Sequence, residues 1–191
     1  ADGTRGTDSA RIGPTRAVAA GLITPRQMWV GVGWAFGLAG IAGAYLVKLG
    51  GPWILAIGVV SILAALGYTN GPIPYGYYGL GEVFVFVFFG LVATVGTRFV
   101  YDRTVESGAW VGGVAMGFLA SAILLANNVR DIDTDRGAGK RTLAVIAGRT
   151  WGVALFAFCL LGGLLLPAAA VVFDWLPAGA LLTLLAIPIA L

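Results

Sequence analysis

The sequence predicts an all-α fold, a polytopic transmembrane helix bundle, and three observations carry that prediction. Of the 191 residues, 59% are hydrophobic and 11% charged, with a mean hydropathy of +0.91, whereas a soluble domain carries about 25% charged residues. Apolar runs of membrane-spanning length recur along the chain, and turn-forming residues separate them. A soluble enzyme and a nucleic-acid-binding module are therefore excluded as classes despite a pI near 9.3, because the net charge is only +3.

A spanning helix needs about 20 mostly apolar residues. The first such run covers about 28–47, and Gly33, Gly37, Gly40 and Gly43 recur in it at helical spacing. In lipid, small residues so spaced let helices pack closely. Gly50-Gly51-Pro52 ends it, and a second run, about 53–69, ends at Asn70-Gly71-Pro72, both breaks being made of turn and helix-stop residues. The third, about 81–100, opens on Gly81-Glu82 and carries Phe84, Phe86, Phe88 and Phe89. A carboxylate there suits the positive end of a helix dipole, and the Phe cluster reads as packed or lipid-facing. The fourth run covers about 109–129 and the fifth about 151–173, closed by Asp174 and Pro177; a sixth, 177–191, is cut short. The expectation is one domain over 1–191, with five complete spanning helices and a truncated sixth. The chain opens on Ala-Asp-Gly without a signal-peptide layout and stops within an apolar stretch, which reads as an internal piece of a longer protein, incomplete at both ends.

Counting basic residues on alternate sides of the membrane separates the loops. The N-terminal segment and the 70–80 and 130–150 loops together hold nine, while the opposite loops hold three, Lys48, Arg98 and Arg103. The positive-inside tendency places the first group in the cytoplasm.

There is no His, and the single Cys, Cys159, lies in an apolar run. A Ser-His-Asp triad, His-ligated haem and a His- or Cys-based zinc site are thereby excluded from these side chains. Any metal would be a hard cation on oxygen ligands.

The richest polar segment runs from Asn127-Asn128-Val129-Arg130-Asp131-Ile132-Asp133-Thr134-Asp135-Arg136 to Gly139-Lys140-Arg141-Thr142, at the end of the fourth run. On a continuing helix Asn127, Asp131 and Asp135 lie at i, i+4 and i+8, a stripe of oxygen-bearing side chains, while Asp133 falls on another face. Carboxylates four apart repel each other unless a cation neutralises them. Mg2+ suits the pattern, since it binds through one or two carboxylates and completes its shell with water and substrate phosphate. Lys140, Arg141 and the neighbouring arginines then read as contacts to those phosphates. A solvated loop would explain the basic residues but not the regular Asn/Asp spacing.

The N-terminal segment repeats the combination of acid and base. Asp2 and Asp8 read as a second set of magnesium ligands, with Arg11 and Arg16 beside them; a Gly-rich tail is the competing explanation.

The chain resembles the UbiA superfamily of intramembrane aromatic prenyltransferases, nearest its bacterial branch acting on 1,4-dihydroxy-2-naphthoate in menaquinone synthesis. The segments ADGTRGTDSARIGPTRAV, GYTNGPIPYGYYGLGEVFVFVFFGLVATVGT and NNVRDIDTDRGAGKRTLAV carry the resemblance. It implies a nine-helix bundle, of which this piece runs from the end of helix two into helix eight, and a bacterial plasma-membrane location with both Asp-rich motifs facing the cytoplasm. It also implies that Asp131, Asp135 and Asp8, supported by Asn127 and Asp2, bind Mg2+, and that Lys140, Arg141, Arg11 and Arg16 contact the diphosphate of a polyprenyl donor. Tyr68 and Asn70 become pocket residues, and part of the Phe cluster becomes lining for an isoprenoid tail. Many members carry a basic residue four positions after this Tyr; here Pro72 stands there.

The implied reaction is ionisation of polyprenyl diphosphate and attack by an aromatic carbon of 1,4-dihydroxy-2-naphthoate, with loss of CO2 and diphosphate, giving demethylmenaquinone. A related enzyme with another aromatic acceptor, and a transporter or structural membrane protein, are the alternatives. A piece lacking part of the first motif is expected to be inactive alone.

Overall fold

The computed structural model describes residues 17–18, 20–68 and 74–190, all in helices and their connections. Helix α1 spans Pro25–Gly50. Its start is set by Thr24 and Gln27, whose side chains cap each other's backbone: Gln27 N–H donates to Thr24 Oγ1 (3.2 Å) and Thr24 N–H to Gln27 Oε1 (2.8 Å), with Pro25 in the first turn, where its missing N–H costs nothing. Gly51, at φ +80°, turns the chain into α2, Pro52–Gly67. A short 3-10 turn at Tyr75–Tyr77 leads into α3, Gly81–Asp102.

Helix α3 is not a regular α-helix. Residues Phe86–Val95 form a π-helical stretch, which widens the turn and shifts the faces that follow it. The stretch lies against α4, Ser107–Arg130. Their backbones nearly touch: a Cβ on Gly90 would stand 2.4 Å from Gly117 Cα and 2.6 Å from Gly113 O. Only glycine permits that approach.

Helix α4 is the centre of the bundle, packed between α3 and α7, Arg149–Val171. Ala122 and Leu125 of α4 and Cys159 of α7 form the core, walled by Phe118, Leu155, Phe156 and Leu160. The connection from α4 to α7 holds two short helices, α5 (Ile132–Gly137) and α6 (Leu143–Ala147). After α7 the chain returns along it as a 3-10 stretch, Ala178–Ala186, and a last turn α8, Ile187–Ala190. Thr183 Oγ1 donates to Leu164 O of α7 (2.9 Å).

Among the described residues four helices, α1, α3, α4 and α7, are long and apolar enough to cross a membrane. Large apolar side chains such as Trp34, Ile41, Phe89 and Phe158 face outward, as lipid-facing side chains do, and the chain is an all-α polytopic membrane protein. Each of the six expected runs is recovered, but Pro52–Gly67 and Ala178–Ile189 are shorter than a full span. The expected close packing at Gly33, Gly37, Gly40 and Gly43 is absent among the described residues, where nothing lies within 4 Å of a Cβ at any of them. The bundle instead makes its close approaches at Gly90, Gly113, Gly117 and Gly163.

The two ends of the bundle are tied separately. At one end, Arg103 Nη1 donates to Gly50 O (3.0 Å), joining the α3–α4 connection to the α1–α2 connection. At the other, Arg141 N–H donates to Tyr77 O (3.0 Å), joining the α4–α7 connection to the loop before α3. The polar motif of the fourth run therefore stands at the same end as the 74–80 loop, matching the alternation of sides expected from the loops.

Candidate functional site

Helix α4 ends at Arg130, and Asp131 has left helical geometry at φ −95°, ψ 13°. The i to i−4 bonds nevertheless continue: Asp131 N–H donates to Asn127 O (3.0 Å) and Asp135 N–H to Asp131 O (2.8 Å). Asn127, Asp131 and Asp135 thus remain linked one turn apart across the junction of α4 and α5, as the spacing predicts.

The three aspartates differ in environment. The side chains of Asp131 and Asp135 are each 13% exposed, while that of Asp133 is 83% exposed. Arg130 forks onto Asp131 through Nε–H to Oδ1 (2.7 Å) and Nη2–H to Oδ2 (2.9 Å). Among the described residues Asp133 reaches only Arg136 and Arg149, at 3.9 and 4.0 Å.

Chain geometry then brings Lys140 back to Asp135. The backbone turns after α5, with Lys140 N–H donating to Asp135 O (2.8 Å), and Gly139 at φ +72° takes a conformation that side chains disfavour. This puts Lys140 Nζ 3.6 Å from Asp135 Oδ1 and 5.6 Å from the centre of the Tyr77 ring. The Lys140 side chain is 16% exposed, a sheltered cation held between a carboxylate and an aromatic face. Arg141 contributes its N–H to Tyr77 O, and the residue is exposed. Thr142 then caps α6 through Val145 N–H (3.4 Å).

Tyr68 ends α2 and packs under the 74–80 loop. Its carbonyl accepts Gly76 N–H (3.0 Å), and its ring meets Tyr75 edge-on at 5.4 Å. Tyr75 stacks on Phe84 (3.9 Å between centres), and Phe84 lies 6.0 Å from Phe88. An aromatic ladder therefore runs from the loop into α3. Tyr75 donates its hydroxyl to Ala64 O (2.6 Å), and burial pushes its phenol above the usual value of 10.

Asn127 donates one Nδ2–H to Ile123 O (3.1 Å), and its carbonyl oxygen lies outside that bond. Among the described residues no three of His, Cys, Asp and Glu stand together as metal ligands. Asp131 and Asp135 are oxygen donors of the kind and number that a magnesium ion takes, since such an ion binds one or two carboxylates and completes its shell with water and substrate phosphate; Asp131 would have to share its oxygens with Arg130. The expected ligands Asp2 and Asp8, the cations Arg11 and Arg16, and Asn70 with Pro72 lie outside the described residues.

One polar pair was not read from the sequence as a unit. Glu82, 7% exposed, accepts Asn128 Nδ2–H at Oε1 (2.8 Å), and its main-chain carbonyl accepts Ser121 Oγ–H (3.2 Å). A carboxylate at the start of an apolar helix is itself a signal of this kind.

A membrane helix bundle with sheltered carboxylates and a sheltered lysine at one end is the class that fold and site define. Residues 1–191 match the UbiA prenyltransferase family throughout, and the chain belongs to that family. It is 47% identical over 150 residues to a 1,4-dihydroxy-2-naphthoate octaprenyltransferase of Mycobacterium tuberculosis, covering 77% of this chain and 50% of the relative. To the Mycobacterium leprae protein of that name it is 41% identical over 194 residues, covering 100% of this chain and 64% of the relative. The Escherichia coli protein of that name is 36% identical over 170 residues, with 85% and 55% covered. The chain thus spans only about half to two thirds of these relatives' length. No solved structure matches it with significance.

Proposed function

We propose that the protein carrying this chain transfers a polyprenyl group from polyprenyl diphosphate to 1,4-dihydroxy-2-naphthoate in a Mg2+-dependent reaction that releases CO2 and diphosphate and gives demethylmenaquinone in its reduced, hydroquinone form, which a separate oxidation converts to the quinone. The observation that carries the reading is the contrast within the Asp-rich motif: Asp131 and Asp135 are sheltered on one face, while Asp133 is left to solvent. The names of the three relatives support the acceptor.

In this reading Asp131 and Asp135, with the carbonyl oxygen of Asn127, hold the metal, and Asp8 and Asp2 complete the site from the N-terminal segment. The ion, when bound, neutralises charge building on the departing diphosphate. Lys140 and Arg141, with Arg11 and Arg16, bind the diphosphate oxygens by charge-assisted hydrogen bonds. Lys140, sheltered from water, favours the charge that develops as the allylic C–O bond breaks. Tyr68, Tyr75 and Phe84 offer aromatic faces to the allylic cation and keep water from it, and Asn70 belongs to the same pocket. The acceptor's ring carbon then bonds to the cation as its carboxylate leaves as CO2, the C–C bonding pair restoring the aromatic ring.

The excess of basic residues on the motif side supports an orientation with both Asp-rich segments in the cytoplasm, and the bacterial origin of the three relatives supports the bacterial plasma membrane. The test is carboxyl-labelled 1,4-dihydroxy-2-naphthoate supplied with a polyprenyl diphosphate to membranes holding the full-length protein. One labelled CO2 per diphosphate is expected. Diphosphate release only with an acceptor lacking that carboxylate would overturn the naphthoate assignment, and substrate movement without diphosphate release would overturn the enzyme.

A further inference from the structure

The start of α3 grips α4 at three successive turns. Glu82 O accepts from Ser121, a Cβ on Gly81 would touch Leu124 at 3.3 Å, and Glu82 Oε1 accepts from Asn128. These partners are spaced i, i+3 and i+7 along one face of α4, and the last adjoins Asn127 and lies three residues before Asp131. The other side of the same helix start carries the 74–80 loop, which receives Arg141 N–H at Tyr77 O and shelters Lys140 under the Tyr77 ring. Glu82 is therefore the joint between the two halves of the site, the carboxylates at the end of α4 and the cations of the following segment.

The joint is chemically expensive. Glu82 is 93% buried by its 7% exposure, and its Oε2 has no hydrogen-bond partner among the described residues. A buried polar atom without a partner costs free energy. Holding two packed helices together needs no carboxylate, since apolar contacts and the Gly90–Gly117 approach already do so. An oxygen acceptor at this position is needed where the amide of Asn128 must be held in one orientation, and with it the backbone that presents Asn127 and Asp131.

We infer that Glu82 is a positioning residue for the Asp-rich motif: through Asn128 it fixes the end of α4, and so sets the affinity of the site for the metal–diphosphate donor. The inference rests on the proposed prenyl-transfer reading. It acts one step further out than the direct hydrogen-bond partner of a metal ligand, whose loss typically costs about 10–100-fold in metal affinity or activity.

The experiment measures diphosphate release per folded molecule in the full-length protein while Mg2+ and the polyprenyl diphosphate are each varied. E82L and N128L are expected to raise the Mg2+ concentration for half-maximal rate and the donor KM by about tenfold or more, with the acceptor KM unchanged. The double variant E82L/N128L is expected to be no worse than either single one, because both remove the same tie. E82Q keeps an oxygen for Asn128 and is expected to stay within about threefold of the parent. Should E82L and N128L fail to accumulate, E82D carries the test, since it keeps the charge but draws the oxygens back by one methylene; the same shift is expected. Variants that lose folded protein while the remaining molecules keep parental Mg2+ and donor dependence would show a purely structural tie and overturn the inference. If the parent releases no diphosphate the prenyl-transfer reading fails, and the inference with it; a normal parent with a normal E82L or E82D overturns the inference alone.

Discussion

Replacing the three aspartates one at a time separates the site from a charged loop. Asp133 is 83% exposed and its basic partners stand at 3.9 and 4.0 Å; exposed pairs of this kind contribute little, so D133A should leave turnover within about threefold of the parent. Asp135 is different: it is sheltered, 3.6 Å from Lys140 Nζ, and linked through its N–H to Asp131. D135A removes one of the two described carboxylates proposed to hold the metal. Since losing even an indirect partner of a metal ligand costs about 10–100-fold, loss of the ligand itself sets a floor near ~100-fold in kcat/KM, or about 2.7 kcal/mol of barrier. D131A should fall in the same range, although Asp131 also binds Arg130. The assay is diphosphate release at saturating Mg2+, normalised to folded protein in detergent. Equal losses in D133A and D135A, or a D135A variant near the parental rate, would refute the assignment.

K140A should raise the donor KM about tenfold or more while the acceptor KM holds, the value of one charge-assisted bond to phosphate; an unchanged donor KM would remove Lys140 from the site. G90A should lower the thermal midpoint in detergent by an amount equivalent to about 1–3 kcal/mol, because its Cβ would meet the backbone of Gly113 and Gly117 rather than a movable side chain; an unaltered midpoint would contradict the close approach of α3 and α4. Burial raises the Tyr75 phenol, so above pH 10 the unfolded chain loses this proton first and stability falls with rising pH. That fall should shrink in Y75F, and an identical alkaline profile in the two proteins would place the effect elsewhere.

The spans were legible because a bilayer demands backbone groups satisfied within each segment and apolar side chains around it, a demand written directly into composition. The stripe Asn127, Asp131 and Asp135 was legible for a similar reason, since i to i−4 bonding persists through the junction of α4 and α5. What the sequence concealed depends on partners distant along the chain. Glycine spacing was equally plausible in α1 and α4, and only packing reveals that Gly117 meets α3 while Gly37 meets nothing among the described residues. The π-helical stretch of α3 contains a single glycine, Gly90, and a lone glycine in an apolar helix does not announce a change of helix type. Glu82 and Asn128 are 46 residues apart, so each looked ordinary alone. The return of Lys140 to Asp135 depends on the turn at Gly139 rather than on helical periodicity.

The central claim is a metal-dependent prenyl transfer at the Asp131–Asp135 face, and diphosphate release tests it most directly. Membranes holding the full-length protein are given a polyprenyl diphosphate, with and without Mg2+ and with and without 1,4-dihydroxy-2-naphthoate. The account predicts release only when both are present and its loss in D135A. Release that is indifferent to Mg2+ or unaffected in D135A, or no release from folded protein with both supplied, would contradict it.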